Sequence, residues 1–172
     1  MSEDGDARDP HIRLRAWAPA DGHWYIAQLR DPEIQRFTTE RADTTVNEFR
    51  AALEQLNRND NIVGFAITDA ATGELAGNLA AHRQDDTAEI HYWIAPGWRR
   101  RGFASEAVTQ IVEWIAANWP GCDLVLEIDA ANIASQRVAQ KLGFECQQNQ
   151  HSTDETRQHT VRWYHTKNSL GD

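Results

Sequence analysis

The sequence predicts a mixed, mostly antiparallel twisted sheet with helices on both faces, of α/β (α+β) class. Three observations carry this. Residues 62–94 contain three apolar-polar runs joined by short polar turns, which favours antiparallel neighbours. Between Thr87 and Ile128 the order is strand, long amphipathic helix, strand, and that unit asks for a parallel crossover. Further helical patterns flank these strands, so both faces of the sheet can be covered. With 172 residues, 41% of them apolar, the chain suffices for one core and leaves little for a second.

Residues 1–10 are acidic and unpatterned and read as a disordered leader. One domain is expected over residues 11–168, with a short tail at 169–172. Residues 11–17 alternate, with Ile12 and Leu14 between Arg13 and Arg15, which signals a strand. Pro19-Ala20-Asp21 opens a helix carrying Trp24, Ile26 and Leu29. Thr45-Val46-Asn47-Glu48 has the capping-box form, and Phe49, Leu53 and Leu56 recur behind it at helical spacing, so a helix runs to about Asn57. Asn59-Asp60-Asn61 breaks it. Strands follow at residues 62–68, 74–82 and 87–94, with turns at Ala71-Thr72-Gly73 and Asp85-Asp86.

A long helix begins at Ala104 and buries Ala107, Val108, Ile111, Val112 and Ile115 until Pro120-Gly121 stops it. Residues 124–128 are apolar and β-branched, as a central strand requires. Residues 134–142 form a helix closed by Gly143. Strands at 144–148 and 161–166 flank a polar loop, 149–158.

The formal net charge of −9 argues against nucleic acid, whose phosphates need a basic face. It suits a cationic acceptor such as an amine, and equally a chain kept soluble by acidity. Cys122 and Cys146 form no CxxC pair, and His151 and His159 lack a third ligand nearby, so no metal is expected. No apolar run is long enough to span a bilayer, and a cytoplasmic location without membrane partners is expected. Seven Trp exceed what a core of this size needs, so some should line a groove.

The chemistry concentrates at Arg99-Arg100-Arg101-Gly102-Phe103-Ala104, between a strand and a helix. The first turn of a helix leaves backbone N–H groups unpaired and carries partial positive charge, so an anion fits there. Gly102 permits close backbone approach, Ala104 keeps the next turn bare, and three arginines add charge. A pyrophosphate matches this arrangement. The absence of Gly-Lys-Ser/Thr excludes a Walker loop, and the absence of GxGxxG excludes a dinucleotide fingerprint. The bland alternative is a solvated basic loop with a capping glycine.

Arg99-x-x-Gly102-x-Ala104 resembles the Q/R-x-x-G-x-G/A motif with which the GNAT family of N-acetyltransferases holds the CoA pyrophosphate. Residues 88–94 resemble the strand before that motif, and Ser105-Glu106-Ala107 resembles the start of its helix. Asn132-x-x-Ser135-x-x-Val138-x-x-Lys141-Leu142-Gly143-Phe144 is similar to the downstream motif of the branch that acetylates ribosomal-protein N-termini. The resemblance spans residues 10–166 in element order and is sharpest from 87 to 145.

The resemblance implies a splayed parallel strand pair, 87–94 and 124–128, with acetyl-CoA as co-substrate in the cleft between them. It implies that the N–H near Ile94 faces the thioester carbonyl and that the amides of Arg101, Gly102 and Ala104 hold the pyrophosphate, within a cofactor segment running from Arg99 through Arg100 and Phe103 to Ser105. It implies that Asn132 fixes the pantetheine arm, although Asn there is also a common helix N-cap. Ser135 matches the position proposed to protonate the departing thiolate; the alternative is a helical serine bonded to its own backbone. Glu89 aligns with the general base of another branch, and strand alternation puts Glu89, His91 and Trp93 on one face, which makes His91 a second candidate base. Each is equally readable as a solvated polar residue. The stretch after the second helix, Glu145-Cys146-Gln147-Gln148, lacks the tyrosine acid of some members.

The resulting expectation is direct acetyl transfer to a primary amine, either a protein or peptide N-terminal α-amine or a small molecule. The competing class is a non-catalytic acyl-CoA-binding or sensor domain, which needs the pyrophosphate loop but not Ser135, Glu89 or His91. A homodimer is compatible with the resemblance alone.

Overall fold

The computed structural model describes residues 10–147 and 160–165. The expected leader, the polar loop with His151 and His159, the tail, and the ends of the last two expected strands lie outside these residues. The described chain forms β1 (Ile12–Ala16), α1 (Gly22–Gln28), α2 (Pro32–Phe37), α3 (Val46–Leu56), β2 (Ile62–Asp69), β3 (Leu75–Gln84) and β4 (Thr87–Ile94). Then come α4 (Phe103–Asn118), β5 (Asp123–Asp129), α5 (Ile133–Lys141), β6 (Glu145–Gln147) and β7 (Thr160–His165), with 3-10 turns at Pro19–Asp21 and Pro96–Trp98.

The strands make one seven-stranded sheet in the order β1-β2-β3-β4-β5-β7-β6. Every neighbouring pair is antiparallel except β4 and β5, as the strand–helix–strand pattern requires. The parallel ladder is short, pairing Thr87 with Asp123, Ala88 with Leu124 and Glu89 with Val125. Beyond Glu89 the two strands part, while β5 stays paired with β7 from Leu124 to Asp129.

Local chemistry explains most helix limits. Thr45 Oγ1 accepts from the Glu48 amide at 3.2 Å and Glu48 returns a bond to the Thr45 amide at 2.7 Å, which completes the capping box of α3. Gly143, at φ +78°, closes α5. The segment after Pro19 departs from the single helix expected. A 3-10 turn leads into α1, and α2 is separate, with Asp31 accepting from the Ile34 amide at 3.1 Å and Pro32 at its first position. Asp31-Pro32 was a legible start signal, but six residues carry too little periodicity to show a helix behind it.

α4 buries Ala107, Val108, Ile111 and Ile115 against β1, β3 and β4, while Val112 is only partly buried. Fully burying a Val or Ile side chain contributes about 1.5–3 kcal/mol. Leu29 and Ile34 pack on the other face of β4 with Trp93 and Ala95, joined by Trp24, Tyr25 and Trp98. Side chains of β4 therefore alternate between the two layers, with Ala88, Ile90 and Ile94 toward α4 and Trp93 toward α1 and α2.

β3 meets β4 unusually closely at Gly77. A Cβ there would lie 2.4 Å from the Trp93 carbonyl oxygen, with Ile94 and Ile67 side chains at 3.2 and 3.3 Å. Gly77→Ala is expected to lower stability by about 1–3 kcal/mol, since backbone must move to admit the methyl group. Gly97→Ala, whose Cβ would meet nothing within 4 Å, should change stability by less than about 0.5 kcal/mol. Denaturant unfolding of the two variants checks the contrast.

Candidate active site

The parting of β4 from β5 opens a cleft of 890 Å³. It takes in most of the residues singled out from sequence: Glu89, His91 and Ile94 on β4, Arg99, Arg100 and residues 102–105 at the start of α4, and Asn132 and Ser135 at the start of α5. Arg101 does not line it.

Backbone geometry makes the α4 end an anion site. Gly102 is the N-cap at φ +82° and offers no side chain to the helix. The first helical hydrogen bond runs from the Glu106 amide to the Gly102 carbonyl at 3.1 Å, so the amides of residues 103–105 precede the regular ladder. Arg100 also adopts positive φ, +61°, and the two left-handed residues turn the chain sharply into α4. Phe103 contributes its amide rather than its ring, which is buried and stacked on Trp98 at 5.4 Å.

The three arginines divide their work, which the sequence did not show. The Arg101 guanidinium lies 4.8 Å over the Trp98 ring. Arg99 turns toward the opposite layer: its Nε donates to the Ile94 carbonyl at 3.0 Å, one terminal nitrogen to Asp31 at 2.5 Å and the other to Glu33. Arg99 is thus a tie between α2, the end of β4 and the loop, with its charge already met by two carboxylates. Arg100, exposed at the cleft, is left as the arginine of the three whose charge the groove can use.

The Ala95 amide donates to the Ala76 carbonyl at 2.8 Å, on the β3 side. Backbone direction alternates along an antiparallel strand, so the Ile94 N–H points the other way, into the parted edge. Its carbonyl on that edge is the one held by Arg99.

On the α1–α2 side the cleft has an aromatic and acidic wall. His91 Nε2 lies 3.2 Å from Glu89 Oε1, so the two residues read as alternative bases are in contact. Glu40, absent from the sequence reading, accepts from the Tyr25 hydroxyl at 2.5 Å and from Trp93 Nε1 at 3.4 Å. Burial and the Glu40 charge both push the Tyr25 phenol far up, so it remains a donor. Trp24 stacks on Trp93 at 6.1 Å, and Trp17 meets Tyr25 edge-on at 5.1 Å. The surplus tryptophans of the composition thus collect beside the cleft.

Asn132 caps α5, its Oδ1 accepting from the Ser135 amide at 3.1 Å. Its side-chain nitrogen keeps its donors for other partners. Among the described residues, the Ser135 hydroxyl makes no hydrogen bond to its own helix. It faces Tyr92 instead, on the α5 side of β4. Tyr92 was quoted only as part of the strand pattern, and no spacing signal marked it.

The Arg99 tie has a pH signature. Burial pushes the Asp31 carboxyl up, but the Arg99 guanidinium and the Ile34 amide outweigh it and hold the group below its ordinary value. A carboxyl lowered in the folded state stabilises fully above its unfolded value of about 3.9, and loses that contribution as pH falls through the lower folded value. Asp31→Asn is expected to lose less stability than the unaltered protein between about pH 5 and pH 2. Matching acid slopes in denaturant titrations would count against the tie.

Comparisons with known proteins agree with this geometry. Residues 11–145 match the family model described as the acetyltransferase (GNAT) domain. An N-acetyltransferase of Bacillus subtilis, YoaA, is 28% identical over 142 residues, covering 77% of this chain and 78% of that protein. The spermidine N-acetyltransferase of Vibrio cholerae, solved with CoA and spermine, shares the fold at a TM-score of 0.78 and 16% identity, over 91% of this chain and 96% of that one. The RimL ribosomal-protein alpha-N-acetyltransferase, solved with coenzyme A, does so at 0.77 and 18%, over 92% and 95%. With a family match over residues 11–145, a parted parallel strand pair and an uncapped helix start at Gly102, the chain belongs to the GNAT acetyltransferase family.

Proposed function

We propose that this acetyltransferase moves an acetyl group from acetyl-CoA directly to a primary amine, within a complex holding both substrates. The observation that carries the reading is the two-sided cleft: an anion-binding backbone on the α4 side meets an acidic, aromatic wall on the α1–α2 side at the β4 edge. Glu33, Glu40 and Glu89 on that wall favour a cationic acceptor. Proteins of similar fold act on spermidine and on a ribosomal-protein α-amine, which supports an amine as acceptor. A small-molecule amine and a peptide N-terminus both fit this description.

The residues present fit a CoA pyrophosphate. The helix start is uncapped, and space for a close ligand lies beside Gly102, where a Cβ would meet no protein atom within 4 Å. The bound thioester supplies an activated acetyl group. The amides around Gly102 and the exposed Arg100 hold the phosphates. Asn132 donates to the pantetheine arm, and the Ile94 N–H stabilises the negative charge that develops on the acyl oxygen.

The Glu89–His91 pair removes a proton from the acceptor ammonium so that the nitrogen lone pair can form the N–C bond. The C–S bond breaks and its electron pair goes to sulfur. Ser135 gives that sulfur a proton and regains one from solvent. The described cysteines, Cys122 and Cys146, lie outside the cleft, in keeping with transfer that needs no acyl-enzyme.

Free-thiol release is to be measured with acetyl-CoA against spermidine and against a peptide bearing a free α-amine. Amine-dependent release with an N-acetyl product is expected. Ser135→Ala should lower kcat by roughly a hundredfold while leaving acetyl-CoA affinity nearly unchanged. Glu89→Gln and His91→Ala should each alter the acidic limb of the kcat/KM profile.

Gly102→Glu is expected to fold, since the side chain meets open space, and to lose acetyl-CoA binding by calorimetry through blocked approach and charge repulsion. Normal affinity in that variant would remove the pyrophosphate assignment. Tight acetyl-CoA binding with no turnover on any amine would instead mark a non-catalytic acyl-CoA sensor.

A further inference from the structure

We infer that Tyr92 is a positioning residue for the leaving thiol: its buried hydroxyl donates to Ser135 Oγ and thereby directs the Ser135 proton at the sulfur. The inference rests on the reading of Ser135 as the thiol's proton donor.

Tyr92 lies on β4, two residues before Ile94, on the face turned toward α4 and α5. Its ring borders the cleft and its hydroxyl oxygen is buried. Among the described residues that oxygen has no hydrogen-bond partner of regular geometry. Nearly all buried polar groups are satisfied, so an exception inside an active cleft calls for a reason. The Ser135 hydroxyl faces it from the first turn of α5, where the Asn132 cap fixes the Ser135 backbone. Both side chains border the cleft where β4 and β5 have parted.

Hydroxyl chemistry decides the direction of the bond. A serine hydroxyl has one proton to give and two lone pairs that accept. It can therefore accept from Tyr92 and donate to sulfur together. Accepting the first bond strengthens it as donor in the second. Tyr92 itself is a poor acid for this task. Burial raises its phenol above the ordinary value, with Ser135 offsetting only part of the rise. A thiol such as that of cysteine titrates at about 8.5, so full proton loss from Tyr92 to a thiolate runs uphill. Tyr92 stays protonated and acts through Ser135, while the proton that reaches sulfur is the serine's, replaced from solvent.

The test needs no knowledge of the acceptor. CoA bound to the protein is titrated by the ultraviolet band of its thiolate, with the desulfo-CoA complex as blank. A donor aimed at sulfur favours the thiolate and lowers the thiol pKa. Ser135→Ala and Tyr92→Phe are each expected to raise the bound thiol's pKa by about one unit, a tenfold change in thiolate population at fixed pH. The double variant should match Ser135→Ala alone. Glu89, His91, Asp129 and Arg137 border the same cleft and are common to all variants, so their field cancels in the comparison.

A shift with Ser135→Ala but none with Tyr92→Phe overturns the role of Tyr92 and leaves that of Ser135 standing. No shift with Ser135→Ala removes the proton-donor reading, and this inference with it. A double variant shifted beyond Ser135→Ala means that Tyr92 acts on sulfur itself, which also overturns the inference. Thermal melts supply a second readout. Tyr92→Phe should melt no lower than the unaltered protein, because it deletes a buried hydroxyl without a regular partner. A clear drop would assign Tyr92 to packing and overturn the inference.

Discussion

β4 runs between two sheet neighbours that pull it in different directions. On one side β3 pairs with it from Thr87 to Ile94, and on the other β5 pairs only as far as Glu89. β5 is in turn committed to β7 along its length. The sheet thus divides into two halves hinged at Glu89 and Val125. Past that point, backbone N–H and C=O groups on the β4 edge face a gap. Such groups have to be satisfied by water, a side chain or a ligand. The site begins with that requirement.

Keeping the gap in shape takes specific contacts. Gly77 lets β3 come within methyl distance of the Trp93 carbonyl, which holds β4 hard against its antiparallel partner. Arg99 grips the Ile94 carbonyl at the end of the strand and the Asp31 and Glu33 carboxylates of the α2 region. One guanidinium therefore joins the layer that would receive the acceptor to the loop that would receive the phosphates. A lysine could not span three acceptors with the same fixed fork.

The two faces of β4 then do different chemistry. Glu89, His91 and Trp93 look toward α1 and α2, where carboxylates and aromatic rings gather around Glu40. Tyr92 and Ile94 look toward α4 and α5, where the helix starts lie. Proton removal from an amine and proton supply to a thiol are thereby separated by the thickness of one strand, with the bond exchange at its edge. Two titratable sites held apart in this way can work in opposite directions at one pH.

Much was legible in the residues alone. The period-two runs of β2, β3 and β4, the capping box at Thr45 and Glu48, the Gly143 stop and the parallel crossover through α4 are local or short-range patterns, and the chain forms each of them. Gly102 and its arginines marked an anion site because a helix start has the same electrostatics wherever it occurs. α2 escaped notice because a single turn and a half has no measurable period. The fate of Arg99, the Glu40 contacts with Tyr25 and Trp93, and the approach of Tyr92 to Ser135 were decided by tertiary structure only. These contacts join residues 15 to 68 positions apart, and no spacing rule operates across such distances. A sequence pattern states what each segment can offer; which offers meet is set by how two layers pack on one strand.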